Sequence, residues 1–416
     1  MFKYRHSQGG FTLIEMLVVM SVFIVILMIT ASAFNTIITK TNIVARSEES
    51  NIEGVIGLEM LRHDLEQTGF GLFTEIDSEI GSITYPEATG TPASNYNDSN
   101  SVPRALVVGS EVVISGLTST ADYLVIKATT VGRSDTAQKW TYATDSGVPK
   151  IWNRNDFTAD NDKMIVLKQE VRKSDKAIVR TLKQSTAANF AVSYSPTGAF
   201  RWAADGDTAP AKYAPSTSEM HYFYGLFNSS TMALTLTAPF NRSDYFVGRP
   251  AGISASCSPD TGVLYKSVLN HNATSTTVGG TQTAIPLLDC VADMQVVLGW
   301  NSDASPEKST AVDTYSDASG SGLSGMITSP SIIQGYMADP TEVRRRLRLV
   351  KVYILAQDGG RDPNFRNPSG SSITIGGPGD PNPKTVQLND GTSTSANKVN
   401  YRWKLHRIVV RPKNLY

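Results

Sequence analysis

The sequence is short of most of what metal, thiol and nucleotide chemistry require. Its 416 residues hold two cysteines and five histidines. Cys257 and Cys290 have no Cys-x-x-Cys or paired-histidine spacing beside them, which argues against a zinc site. The histidines (His6, His63, His221, His271 and His406) are scattered. There is no Gly-x-Ser-x-Gly elbow, no His-Glu-x-x-His, no phosphate-binding Gly-Lys loop and no dinucleotide fingerprint. We therefore expect neither an enzyme nor a cofactor, although acids and serines are plentiful enough for a constellation to assemble in three dimensions. Net charge is lacking too, because 38 basic and 38 acidic residues cancel. That balance argues against nucleic acid as a partner, which needs a concentrated basic face. Charged residues are only 18% of the chain while Ser, Thr, Gly and Asn abound, a composition more typical of exported β-rich proteins than of cytoplasmic enzymes.

Long hydrophobic runs are absent everywhere but at the amino terminus. From Phe11 to Phe34 the only ionisable group is Glu15. These residues make a helix of about 36 Å, enough to cross a hydrocarbon core of about 30 Å. Lys3 and Arg5 precede it, so the leader is expected to stay cytoplasmic and the bulk of the chain to face outward. A lone carboxylate in such a helix costs on the order of 3 kcal/mol or more. It needs a partner, and Gly9-Gly10 suggests one: a cut after Gly10 creates a new ammonium at Phe11 and makes Glu15 the fifth residue of the cut chain. A rival reading takes Ala31-Ser32-Ala33 as a secretory cleavage site that releases residues 34–416. It leaves Glu15 unexplained, and the apolar stretch is longer than a usual signal core.

The helical pattern continues past Phe34. Ile37, Ile38, Val44, Ile52, Val55, Ile56, Leu61 and Leu65 extend an apolar stripe until Gly69 and Gly71 end it. One helix of about 55 residues, roughly 85 Å long, is predicted. Gly54 and Gly57 should weaken it by about 1 kcal/mol each relative to alanine. Beyond Phe70 short β-branched and aromatic runs predict strands at 105–108, 111–114, 123–128, 164–168, 177–182, 222–227, 263–268, 294–299, 347–356 and 401–410. A short helix is predicted at 340–346, capped by Asp339 and opened by Pro340. The expected fold class is α+β: a long N-terminal helix, transmembrane in its first half, packed on a mainly antiparallel β-rich head. The divisions are a leader (1–10), a transmembrane half-helix (11–34), an amphipathic half-helix (35–69) and the head (70–416). Residues 301–335 and 358–399 read as long surface loops, the second with five prolines between Pro363 and Pro383.

Within the head, Cys257 and Cys290 are expected to form a disulfide in an exported chain, two separate buried thiols being the alternative. Asn155, Asp156, Asp160, Asn161 and Asp162 gather hard oxygen ligands, as do Asp358, Asp362 and Asn364. Asp156, Asp160 and Asp162 are the calcium candidates, but neither group follows EF-hand spacing and both residue types favour turns anyway. Arg344, Arg345, Arg346, Arg348 and Lys351 form the strongest basic run, read first as a solvated face bridging local acids and otherwise as a contact for an acidic patch on a neighbouring subunit or for lipid head groups. Tyr222-Phe223-Tyr224 and Phe227 are read as strand core rather than a glycan platform.

Gly10-Phe11-Thr12-Leu13-Ile14-Glu15 resembles the processing motif of type IV pilins and type II secretion pseudopilins. The resemblance implies cleavage after Gly10 by a prepilin peptidase, methylation of the new terminus at Phe11, and a role for Glu15 in subunit register. More narrowly, residues 61–71, 122–126, 287–296 and 402–414 resemble segments of the pilus-assembly protein W family of minor pilins. That resemblance implies a low-abundance subunit priming pilus assembly near the tip, with adhesion and twitching motility as the wider setting. Its implied partners are other minor and major pilins, the inner-membrane assembly platform, a tip adhesin, and membrane lipid before assembly. The implied location is the bacterial inner membrane with a periplasmic head, then the extracellular pilus. The alternatives are a J-type minor pseudopilin of type II secretion, whose head is usually shorter, and a pilin-anchored surface adhesin.

Overall fold

The computed structural model describes residues 12–114, 117, 120–144, 150, 157, 161–172, 178–195, 201–204, 213–229, 236–269, 271, 282–388 and 398–415. Helix α1 runs unbroken over Leu13–Gln67, 55 residues. Thr68 leaves the helical region, and Gly69 (φ +85°) and Gly71 (φ +69°) then turn the chain through left-handed conformations that favour glycine. The first part, Leu13–Asn35, is 23 residues of mean hydropathy 2.8, none of it buried by the head. By length and composition it can cross a membrane.

The head is built on a nine-stranded sheet. Its strands are β1 (Leu106–Val112), β2 (Ala121–Ala128), β3 (Asn241–Gly248), β4 (Gly262–Leu269), β5 (Gln282–Trp300), β6 (Thr314–Asp317), β7 (Leu323–Gly325), β8 (Leu347–Asp358) and β9 (Arg402–Val410). The path runs β7-β6-β5-β4-β3-β2-β1, and β8 pairs β5 and β9. All these pairings are antiparallel. The 19-residue β5 is the hinge of this layout. Val291 pairs Gly262 of β4 on one edge and Ala356 of β8 on the other, and the strand's second half then pairs β6 and β8. The ladder irregularity around Cys290 (φ +54°) marks the change.

A second sheet has Asp162–Val171 at its centre, flanked by Ile178–Leu182, Ala191–Ser195 and Met220–Asn228. Glu75–Ile76 joins it in parallel, and the other described pairs are antiparallel. One core cluster spans both sheets and the helix end, including Leu61, Leu65, Leu124, Ile165, Tyr224, Val291 and Ile354. The α+β class is thus as the sequence predicts.

Particular expectations change. Residues 301–335 are not one surface loop: they hold β6, β7 and helix α2 (Pro330–Ala338). Their polar composition hid strands that need only a partner edge, here the second half of β5. Within 358–399 lies a hairpin of Ser372–Ile375 and Lys384–Gln387, whose Ile375 covers Tyr353 and Leu355 of β8. That cover explains why β8 is buried along almost its whole length. The runs at 105–108 and 111–114 are one strand, ending at Val112. Helix α3 (Pro340–Arg346) forms as expected, with the Asp339 carboxylate accepting from Thr341 N at 2.7 Å. The apolar stripe of α1 is only partly a head-packing face. Leu61 and Leu65 are fully buried, but Val55 and Ile56 are 57% and 61% exposed, because the face toward the head there is made by Gly54 and Gly57.

Candidate functional site

Gly10 and Phe11 lie outside the described residues. The described chain begins with Thr12, the N-cap of α1, and with Glu15 it makes a capping box. Glu15 Oε2 accepts from Thr12 N (2.8 Å) and Thr12 Oγ1 (2.9 Å). Thr12 Oγ1 in turn accepts from Glu15 N at 3.4 Å. The carboxylate therefore has a partner within its own helix terminus, where the orphan N–H groups and the dipole favour an anion. Ala31, Ser32 and Ala33 lie inside the continuous helix.

At its other end α1 docks onto the head through groups far apart in sequence. A Cβ at Gly57 would run into the Leu287 carbonyl, and one at Gly54 would sit 2.7 Å from Leu288 Cδ1. The two glycines thus form a notch that admits β5. One turn on, Leu61 and Leu65 fill the core. Between them Asp64 faces inward, accepting from the Tyr245 hydroxyl (2.7 Å) and pairing with Lys266 Nζ (2.6 Å). Burial beside the Asp64 charge pushes the Tyr245 phenol far above its ordinary range, so it stays a donor.

The chain's last residues close the junction. The Lys413 N–H donates to the Glu66 carbonyl at 3.1 Å, and its ammonium pairs with the Glu66 carboxylate. Gly69 N donates to the Lys127 carbonyl (3.1 Å), and a side chain at Gly69 would strike Leu415 at 2.9 Å. The four segments singled out in the sequence (61–71, 122–126, 287–296 and 402–414) thus meet around the helix end or in the sheet beneath it. In the second of them, Asp122 accepts from Glu111 N (3.1 Å) and Val296 N (2.7 Å), tying β2 to β1 and β5. Burial pushes its carboxyl up to about 7 against those two hydrogen bonds. The disulfide expected between Cys257 and Cys290 is present, joining the segment before β4 to the irregular point of β5.

The sequence reading missed a buried ionic cluster. Arg242 of β3 holds Asp244 through Nε (2.6 Å) and Glu87 through Nη1 (2.7 Å). Lys127 of β2 reaches Glu87 and Asp98, each at 2.6 Å. Asp98 also binds Arg104 at 2.6 Å, and the Tyr123 hydroxyl donates to Asp244 at 2.6 Å. Three cations thus meet three anions in a dry setting, fixing residues 85–104 onto β2 and β3. The only sequence trace is Arg242 and Asp244 two apart on one strand face, a pattern that also suits a solvated strand. That ambiguity is why β3 was not predicted.

The remaining candidates separate. Asp156 and Asp160 lie outside the described residues. Asp162 is buried and held by Lys139 (2.7 Å), Asn228 (2.9 Å) and Thr136. Asp362 pairs with Arg402 at 3.1 Å. Among the described residues no group of three or more His, Cys, Asp or Glu is arranged to hold a metal ion. Arg345 and Arg346 bridge Glu342, as read from the sequence, and Lys351 pairs with Asp380 at 2.6 Å. Arg348 and Lys351 depart from the solvated-face reading: both are buried, and Arg348 Nη2 donates to the Pro306 carbonyl at 2.8 Å. Phe223 and Tyr224 are strand core. His221 and His271 are buried, and burial pushes the His271 imidazole down to about 4.

Residues 5–31 match the family model described as the prokaryotic N-terminal methylation motif, the signal of type IV pilin-like precursors. That match takes in residues 5–10, then Phe11, Glu15 and most of the exposed apolar segment. No curated protein and no solved structure matches the chain.

Proposed function

We propose that this chain is a minor type IV pilin of the pilus-assembly protein W kind, a structural subunit that primes assembly at or near the pilus tip. The observation that carries the reading is the exposed apolar segment Leu13–Asn35, continuous in one helix with a firmly docked β-rich head. A rigid link between membrane segment and head suits a subunit that must leave lipid and enter a helical bundle without losing its orientation. A peptidase hydrolyses the Gly10–Phe11 amide, and the freed Phe11 amine is methylated. The head waits in the periplasm while the helix sits in the inner membrane.

During assembly Glu15 meets the Phe11 ammonium of an adjacent subunit. Its Oε2 is occupied by Thr12, which leaves Oε1 to accept from the neighbour. In a low-dielectric bundle the pair is favoured chiefly because either charge alone is costly there. The contact sets axial register, and the head at the tip carries other minor pilins and an adhesin.

The test is Glu15→Leu. The variant is expected to insert into the membrane at wild-type levels but to be lost from the complex when other minor pilins are affinity-purified. Undiminished co-purification would overturn the register role.

A further inference from the structure

Strand β1 ends the main sheet, with β2 on one edge and no described strand on the other. Lys127 N donates to the Ala105 carbonyl at 2.9 Å. In an antiparallel ladder this fixes the alternation: Ala105, Val107 and Gly109 direct their backbone groups at β2, whereas Leu106 and Val108 direct theirs away. No hydrogen bond among the described residues takes up the N–H or C=O of Leu106 or Val108. Both residues are nonetheless buried, at 3% and 9% exposure. A buried backbone group without a partner costs about 1–3 kcal/mol, so these positions call for one.

The same edge opens on a cavity of about 380 Å³. Leu106, Val107 and Val108 all line it. Yet Leu106 and Val108 point into the main core and Val107 into a separate cluster with Tyr123 and Val125. Only a strand's edge, not either face, touches three consecutive residues. Leu298 and Trp300 of β5 line it as well, as do Gln334 and Met337 of α2. The result is a slot lined by helix α2 and by a strand edge that no described residue pairs. Arg104 at its rim is already committed to Asp98 at 2.6 Å, so the slot offers a charged ligand little.

We propose that this slot binds an extended, uncharged peptide segment of a partner protein, which adds a strand to β1. Its backbone would bond Leu106 and Val108, and its alternate apolar side chains would rest on Leu298 and Trp300. The unmet groups recur every second residue, about 7 Å apart, which is the repeat of a strand and not of a helix or a compact small molecule. The inference does not rest on the pilin reading, because it uses nothing from the membrane segment.

The test uses the full chain in detergent micelles and a fluorescein-labelled, C-terminally amidated peptide without charged side chains, Gln-Thr-Val-Thr-Val-Thr-Gln, followed by fluorescence anisotropy. Saturable binding is expected, and a copy N-methylated at alternate amides should not bind. Met337→Arg, which fills the slot, should weaken binding at least about tenfold. So should Val108→Pro, which removes a slot-facing N–H and spares the β2 ladder. Val409→Arg, on the distant end strand β9, should leave affinity unchanged, and circular dichroism verifies that each variant is folded. Absence of saturable binding to the wild-type chain, equal binding of the N-methylated copy, or full affinity in both slot variants would each overturn the proposal.

Discussion

The carboxylate of Asp64 on the long helix accepts a hydrogen bond from the hydroxyl of Tyr245 on β3, 2.7 Å away and 181 residues later in the chain. With Lys266 on the same oxygen, this contact fixes the rotation of α1 about its axis as well as its position. Removing the carboxylate leaves a buried ammonium and a buried phenol without their acceptor. Asp64→Ala is therefore expected to destabilise the head by about 3–5 kcal/mol, and Tyr245→Phe by about 1–2 kcal/mol. Urea denaturation of the full chain in detergent reads both. Losses below 0.5 kcal/mol in the two variants, about the scatter of ordinary surface substitutions, would remove this contact from the docking argument.

Gly57 separates two effects of opposite sign. Helix propensity alone makes Gly57→Ala stabilising by about 1 kcal/mol. The Leu287 carbonyl occupies the space the methyl needs, and a backbone atom cannot swing aside. A net loss of about 1–3 kcal/mol is expected from that overpacking. Gly54→Ala meets only the tip of Leu288 and should cost less. A higher melting temperature for Gly57→Ala would mean that propensity outweighs the notch.

The disulfide between Cys257 and Cys290 closes a loop with a sequence separation of 33 residues. The chain-entropy model gives such a loop about 3–4 kcal/mol. Reduction, or the double substitution of both cysteines by serine, should lower the unfolding midpoint by a corresponding amount. An unchanged midpoint would limit the bond's role to local order around β5.

His271 should give the head a distinct pH dependence. Its Nε2 donates to Asn241 Oδ1 (2.9 Å) and its Nδ1 accepts from Thr237 (3.1 Å), a neutral ring in a dry site. The folded value near 4 lies below the ordinary 6.5, so the unfolded chain binds the proton first as pH falls. Stability is thus full above about 6.5 and declines toward pH 4, by about 3 kcal/mol in total. Asp122 acts the other way, since its raised value favours the protonated folded state and stability falls as pH rises from about 4 to 7. The measurement is therefore the difference between wild type and His271→Gln across pH 4–7. That difference should shrink on acidification, and a flat one would contradict the buried neutral ring.

Mass spectrometry of the chain recovered from membranes tests the processing itself. An amino terminus at Phe11 carrying one methyl group is expected. A start at Phe34 would instead favour the secretory reading of Ala31-Ser32-Ala33.

Much of the helix was legible because its signals are local. Hydropathy gave the membrane segment, Gly69 and Gly71 gave the end, and Asp339-Pro340 gave α3. Strands with a plain apolar pattern, such as β2, β4 and β8, were legible for the same reason. What was not legible depended on pairing across long separations. The Asn-Arg-Ser-Asp opening of β3 looks solvated until Glu87 stands beside Arg242. The Ser- and Gly-rich stretch holding β6 and β7 becomes sheet only because β5 is long enough to offer it an edge.

The site divides in the same way. The motif at residues 5–31 is read from a contiguous string, as a peptidase would read it. Gly54 and Gly57 looked like weak points of a helix, because their value appears only when Leu287 and Leu288 arrive.

By itself, then, the sequence determined that an apolar helix with one carboxylate leads into a strand-rich body, since hydrophobicity, periodicity and turn chemistry act over neighbouring residues. The tertiary structure alone decided which charges are buried, how the helix is gripped and where a strand edge is left open. Each of those depends on desolvation, and a group is desolvated only by what distant parts of the chain place around it.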